Sequence, residues 1–491
     1  MSADSTISVT IPGGARICVP DSVALITPYV LLEQEDWFED EVRFVRRLLR
    51  PGMAAIDVGA SFGIFSMAMA NAVGARGKVW AFEPTPATAE FLQATLALNE
   101  AQQVNLTRAA VSDQPGTVDF VTSANSELNA VAKAGEAHGE VLTVPSLTLD
   151  QAAADNGWRD VDFVKLDVEG HELQVIAGAR SFLTQASPLV MFEITAGEGV
   201  DLRPLAAFQA MGYEFYRLAA GPMLLVPFAS GQAVDGFTLN LFACKPGRAE
   251  HLAAEGFLAT DGDSPVAAPA KDAWRTYVES SPYARDIADV WPSKPRLFAP
   301  SHAKTYLQAL ALFAQSRDLK YSGGARLSLL RRAADLVAAA SQEQNTLPRL
   351  LTSARLAWEL GRRAFAVQLL ENAGRRVQAE DASVYDEPFL APSVRYEHLS
   401  TGAPADEWIH CAVVEQWERL RHFSSFYAGT SSLALLEAIA SLAYRSAEME
   451  RRRQLIRMRA GMQSQREANP LVCQQSDENL NPALWCSAGR S

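Results

Sequence analysis

The chain of 491 residues carries only five cysteines, Cys18, Cys244, Cys411, Cys473 and Cys486. They are odd in number and scattered, and the sequence holds neither a C-x-x-C pair nor an HExxH run. This usage argues against a disulfide framework and a structural zinc site, and for a reducing compartment. No basic stretch followed by an apolar one opens MSADSTISVT, so no secretory signal is read and a cytoplasmic location is expected. Long apolar runs are missing too. The longest helical one, residues 431–444, is broken by Glu437 and is too short to cross a bilayer. Positive charge is scarce in the first half: residues 1–250 hold 16 lysines and arginines against 30 acids, whereas the rest holds 28 against 27. Basic side chains dominate affinity for nucleic acid, so nucleic acid is not an expected partner.

What is present is ordinary for a globular protein: 48% apolar and 21% charged residues, over a length that suits two to four domains. Four regions separate by pattern. Residues 1–250 alternate short apolar runs with helical periods. Residues 251–300 read as a linker, 301–462 as an all-α domain, and 463–491 as a flexible polar tail. In the first region, strands are expected at 7–11, 16–20, 54–58, 78–82, 104–109, 162–166, 189–194, 214–217 and 239–244. Helices are expected over 36–50, 62–71, 86–99, 149–156, 172–183 and 205–211. The central strands are apolar on both faces, which indicates a mostly parallel, doubly wound α/β sheet covered by helices. Its ligand belongs at the carboxyl ends of the strands.

Chemistry-bearing residues fall at those ends. The strand ending Ile56-Asp57-Val58 runs into Gly59-Ala60-Ser61-Phe62-Gly63, a tight turn opening a helix whose free N–H groups favour an anionic group. Ser61 stands where the dinucleotide fingerprint needs its middle glycine, which disfavours a nicotinamide oxidoreductase. The next strand ends in Glu83-Pro84, about twenty residues on, the spacing of a ribose-binding acid. The third ends at Ser112 and Asp113. Ser112 suits the edge of a flat base, and Asp113 is either part of that edge or a turn residue of Asp-Gln-Pro-Gly. The fourth carries DFVKLDVEGHE. Lys165, Asp167 and Glu169 alternate, so an extended chain sets them on one side. A buried lysine needs a partner, Asp167 or Glu169. His171 opens the following helix, as a cap or as a base.

DVGASFG, FEP, VSDQPGTVDF, VDFVKLDVEGHE and a later strand with FEI together resemble the FkbM family of S-adenosylmethionine-dependent methyltransferases over residues 35–245. The resemblance implies a class I methyltransferase fold and S-adenosyl-L-methionine as cofactor. It also implies O-methylation of a hydroxyl on a sugar, a glycan or a related metabolite. The Gly59–Gly63 turn, with Ala60, Ser61 and Phe62, would cradle the methionine end, with Asp57 beneath it. Glu83 and Pro84 would face the ribose, and Ser112 and Asp113 the adenine. Asp167 or His171 would take the hydroxyl proton, with Glu169 and Lys165 positioning the acceptor. A magnesium ion on Asp167 and Glu169 is compatible with oxygen-only ligands, but the sequence requires no metal. Asn125 and Asn129 fall where an acceptor-covering loop would lie.

In the helical half, Leu356-Ala357, Gly361, Ala364 and Leu369-Leu370 resemble a tetratricopeptide-type hairpin, though without a clean repeat. An ordinary bundle is the alternative. The expected role is recruitment of substrate or of a protein partner. Trp408, Trp417, Phe423, Phe426 and Tyr427 read as packing residues, and the arginines of 445–466 as a solvated basic helix end, with contact to an anionic membrane surface or a partner as the alternative. The competing functional reading is a non-catalytic methyltransferase-like scaffold.

Overall fold

The computed structural model describes residues 6–122, 130–131, 140–196, 199–260, 268–269, 273–288, 291, 300–379, 383–402 and 404–462. They divide into two compact units. The first comprises residues up to 218, 225–234 and 238–252; the second comprises 219–224, 235–237 and the chain from 253 onward.

The first unit opens with an antiparallel pair, β1 (Thr6–Thr10) and β2 (Arg16–Pro20). Two helices follow, α1 (Ile26–Gln34) and α2 (Asp40–Leu48). Asp40 and Glu41 in the first turn of α2, and Arg46 and Arg47 in the last, suit the helix dipole. The helix expected over 36–50 is thus shorter, and α1 is an addition. Every residue from Ile26 to Glu33 is buried, so α1 has no polar face and shows no period in the sequence.

The central sheet has eight strands, in the order β15-β14-β16-β11-β10-β3-β4-β5. Its parallel core is β3 (Ala54–Val58), β4 (Lys78–Phe82), β5 (Val104–Thr107), β10 (Phe163–Leu166) and β11 (Leu189–Glu193). The order runs outward from β3 on one side and from β10 on the other, so the switch point lies between these two neighbours. Helices α3 (Ile64–Val73), α4 (Pro86–Leu98), α5 (Leu149–Asn156), α6 (Glu172–Ala177), α7 (Arg180–Ala186) and α8 (Arg203–Gln209) connect the strands. The helix expected over 172–183 breaks at Gly178, where a Cβ would meet the carbonyl oxygen of Ser112 at 2.1 Å.

A second sheet, absent from the sequence reading, has the order β6-β9-β7-β8: β6 (Ala110–Val111), β7 (Gly116–Thr122), β8 (Ala130–Val131) and β9 (Glu140–Leu147). Pro145 inside β9 hid that strand, since proline ordinarily speaks against one. After a hairpin of β12 (Thr195–Ala196) and β13 (Gly199–Val200), the sheet closes with β14 (Glu214–Ala219), β15 (Leu224–Pro227) and β16 (Asn240–Cys244), the last antiparallel to β11.

The second unit is helical. Helices Leu347–Glu359 and Arg363–Gln378 form a hairpin that turns at Gly361, whose φ is +69°. Arg355 is fully buried between Glu359 (2.9 Å) and Glu397 (3.1 Å). Trp408 is equally buried and stacks on Tyr283 with ring centroids 5.4 Å apart. The basic helix Ala447–Arg459 is not a solvated end: Arg451 and Arg452 are buried, and Arg452 pairs with Glu448 at 3.1 Å. Residues 273–288, in the stretch read as a linker, contain helices Ala273–Ser280 and Pro282–Arg285. The tail 463–491, with Cys473 and Cys486, lies outside the described residues. No described helix is long and apolar enough to cross a membrane.

Candidate active site

One cavity sits at the carboxyl ends of β3, β4 and β10. It is lined by Gly59–Phe62 after β3, Glu83–Thr85 after β4, and Lys165 with Asp167–Glu169 from β10 and the turn after it. The wall is completed by Thr27, Trp37, Ile64, Phe65, Thr88 and Phe120.

The glycine turn is fixed by its neighbours. The N–H groups of Gly59 and Ala60 both donate to the carbonyl of Phe82 at the end of β4, at 3.0 Å each. Gly59 has φ +79°, and a Cβ there would meet the carbonyl oxygen of Asp167 at 1.8 Å. Side-chain volume is thus forbidden where the first and fourth strand ends close on one another. Ser61, which breaks the dinucleotide fingerprint, still adopts a left-handed φ of +48°. Its N–H donates to Glu83 Oε2 at 2.9 Å, while Thr85 N–H donates to Oε1 at 2.8 Å. Glu83 is 6% exposed. Burial pushes its carboxyl up to about 7 despite these two donors. A buried carboxylate facing a cavity beside a glycine cradle fits a ribose diol and the tail of a nucleoside cofactor.

Lys165 is the charge centre of the opposite side. Its ammonium lies 3.1 Å from Asp167 and 3.6 Å from Asp57, and donates to the carbonyl of Gly59 at 3.2 Å. Burial works against its charge, but the carboxylates of Asp167, Asp57 and Glu39 outweigh burial and keep it protonated. Of the two acids paired with it, Asp57 is sealed off and held by Ser66 Oγ at 2.6 Å, whereas the Asp167 side chain is 30% exposed. Asp57 and Lys165 face each other across the β3–β10 register, which explains their meeting.

The strand stops at Leu166, and Glu169 takes a left-handed φ of +53°. The alternation expected of Lys165, Asp167 and Glu169 therefore does not extend to the third residue, and Lys165 takes Asp57 rather than Glu169 as its second partner. The turn is braced by Glu172, whose Oε1 accepts from the N–H groups of Val168 and Gly170 at 3.2 Å each. Asp167, Glu169 and Glu193 each offer a carboxylate oxygen, all within 4.8 Å of one another. These are hard donors of the kind that suit a magnesium ion.

The structure therefore gathers Gly59, Ala60, Ser61, Phe62, Glu83, Pro84, Lys165, Asp167 and Glu169 on one cavity, with Asp57 directly beneath. Gly63 lies behind it, at φ +91°, where a Cβ would meet Leu92 at 2.4 Å. Ser112, Asp113 and His171 form a separate cluster. Ser112 Oγ lies 3.0 Å from His171 Nε2 and donates to Asp113 Oδ1 at 3.1 Å. The His171 side chain makes no cap hydrogen bond to its helix. Burial lowers its affinity for a proton, with Asp113 acting in the other direction. Asn125 and Asn129 lie outside the described residues. The sequence reading missed Glu193, Trp37 and Glu39. Glu193 ends β11 and was open to the same strand-end logic; Trp37 and Glu39 sit in the link between α1 and α2 and carry no such signal.

The model of the methyltransferase FkbM domain matches residues 57–215. The methyltransferase sdnD of Sordaria araneosa is 25% identical over 192 residues, covering 33% of this chain and 74% of that protein. A ribosomal RNA large subunit methyltransferase E of Sorangium cellulosum is 32% identical over 156 residues, covering 30% of this chain and 72% of that protein. Among solved structures, a methyltransferase FkbM from Methylobacillus flagellatus matches 41% of this chain and half (50%) of its own length, at 16% identity and a TM-score of 0.27.

Proposed function

The chain belongs to the S-adenosylmethionine-dependent methyltransferases, with an FkbM domain over residues 57–215, and on that premise we propose that it methylates a hydroxyl of a sugar, glycan or related metabolite. The observation that carries the reading is the pairing of the Glu83 cradle with the half-open Lys165–Asp167 pair on one cavity. Gly59–Phe62 hold the methionine end of the cofactor, and Glu83 accepts from its ribose hydroxyls. Ser112 and Asp113 serve its adenine, with His171 hydrogen-bonded to Ser112. When bound, S-adenosylmethionine supplies a methyl group already activated by a sulfonium.

The protein's own part is positioning and proton transfer. Lys165 is fixed by Asp57 and Gly59, and it holds Asp167 at the cavity surface. With Gly59–Phe62 and Glu83 holding the methyl donor, Asp167 at the cavity surface would accept the proton of the acceptor hydroxyl. Glu169 orients the acceptor. The helical unit recruits the substrate or a protein partner.

Asp167→Asn tests the assignment, because it keeps the shape and removes the base. Transfer of labelled methyl to a panel of sugars is expected to fall by about 10²–10⁴-fold, with cofactor affinity nearly unchanged. Full turnover in the variant would exclude Asp167 as base and as metal ligand. Chelation separates those two roles: a base works in the presence of chelator, whereas a bridging magnesium ion does not.

A further inference from the structure

His171 follows the cavity-lining turn Asp167–Glu169, but it is not among the residues that line the cavity. Its backbone N–H donates to the carbonyl of Val168 at 3.3 Å, which anchors it to that turn. Its side chain reaches a different strand end, with Nε2 3.0 Å from Ser112 Oγ. Ser112 is 3% exposed and His171 9%, so water does not compete freely for this contact. Ser112 is pinned on both sides of its side chain. Its N–H donates to the carbonyl of Leu147 at 2.9 Å, and its carbonyl oxygen lies 2.1 Å from where a Cβ on Gly178 would stand. It directly follows β6, whose Ala110 packs with Phe120 of the cavity wall.

The acceptors decide where the hydrogens lie. A serine hydroxyl has a single proton, and a carboxylate only accepts. Ser112 therefore gives its proton to Asp113 Oδ1, at 3.1 Å. The serine oxygen is left to accept, so His171 Nε2 carries the ring proton and donates it. Donation runs from His171 to Ser112 to Asp113. This is the reverse of nucleophile activation, in which the ring takes the proton of the serine. Among the described residues, Asp113 Oδ2 has no hydrogen-bond donor. An exocyclic amine offers such a donor, whereas a ring carbonyl in its place offers only lone pairs. We propose that His171 is a positioning residue for the cofactor's base and not a proton acceptor: by donating to Ser112 it holds that hydroxyl on Asp113, and so sets the carboxylate to accept from the exocyclic amine of the adenine. This rests on the placement of adenine at Ser112 and Asp113 in the methyl-transfer reading.

The experiment titrates the full chain with S-adenosylhomocysteine and with its inosine counterpart, in which a carbonyl replaces the amine. Wild type is expected to prefer the adenine compound by about tenfold or more. His171→Phe keeps a ring and removes the donor, and it should bring the two compounds to within about threefold of each other. Ser112→Ala should do the same, and the two changes together should do no more than either alone, because they break one chain of hydrogen bonds. His171→Gln, whose amide N–H stands in for that of Nε2, should keep most of the preference. Nitrogen NMR of histidine-labelled wild type, at about pH 8.5 and so above the ordinary histidine range, reads the ring directly. The His171 signal is assigned by its loss in His171→Gln, and its Nε2 is expected to carry the proton. A bare Nε2 overturns the inference, and does so even where His171→Phe fails to fold. A folded His171→Phe with the wild-type preference overturns it too, since a merely structural role weakens both compounds alike. So does a wild type that binds both compounds equally. Failure of wild type to bind S-adenosylhomocysteine at all would instead strike the methyl-transfer reading itself.

Discussion

Glu83 carries two opposed demands. On the proposed placement it must be ionised to accept from ribose hydroxyls, yet it is buried, with the Ser61 and Thr85 N–H groups and the Thr85 hydroxyl to solvate it. Burial lifts its carboxyl from 4.5 to about 7. The folded chain thus holds the proton more tightly than the unfolded chain. The stability this gives is fully present below about pH 4.5 and is lost as pH rises through about 7. Cofactor affinity runs the other way, because only the carboxylate accepts both hydroxyls. Calorimetry between about pH 6 and about pH 8 should therefore show S-adenosylmethionine binding tighten with pH. A flat profile would remove Glu83 from the ribose. At this scale the sequence was informative where position alone decides, as at Glu83 and Asp167. It was silent on Glu39, which a link between two helices brings to Asn240 at the start of β16, 201 residues away in the chain.

The elements around the cavity are held apart by absences of side chain as much as by contacts. Gly59 lets the turn after β3 pass directly beneath the carbonyl of Asp167. Gly59→Ala puts a methyl group 1.8 Å from that oxygen at a φ of +79°, so the two strand ends must separate. The expected result is loss of S-adenosylmethionine binding of at least about tenfold, with a lower melting temperature. Retained binding would mean that the turn does not form the cradle. Apolar runs located β3, β4 and β10 because each is buried on both faces. The sheet built on β7 and β9 escaped because its pairing is non-local and one strand contains proline. The split of α6 from α7 escaped for a similar reason: Gly178 is demanded by Ser112, a residue from another part of the chain.

On the scale of the molecule, the two units do not follow a single cut in the chain. Residues 219–224 and 235–237 belong with the helical unit. There Arg363 lies over the rings of Phe237 (4.7 Å) and Phe423 (4.5 Å), and a Cβ on Gly221 would meet Glu359 Oε2 at 1.9 Å. Composition and periodicity showed where helices dominate, but they carry no sign that short segments of the first 250 residues pack among them. A chain truncated after residue 252 keeps the whole cofactor cradle but strands Phe237 and its neighbours without their partners. It should melt lower than the full chain and aggregate on heating, as followed by thermal shift and light scattering. A truncated chain as stable as the full one would show that those segments contribute nothing to the helical unit.

The central claim is that S-adenosylmethionine lies across the Gly59–Phe62 turn with its ribose on Glu83. Titration calorimetry of wild type beside Glu83→Ala tests it most directly. The account predicts binding by wild type and a loss of about tenfold or more in the variant, equivalent to about 1.4 kcal/mol. Equal affinity in both would contradict the placement, and no binding by a folded wild type would contradict the assignment of this cavity as the methyl-transfer site.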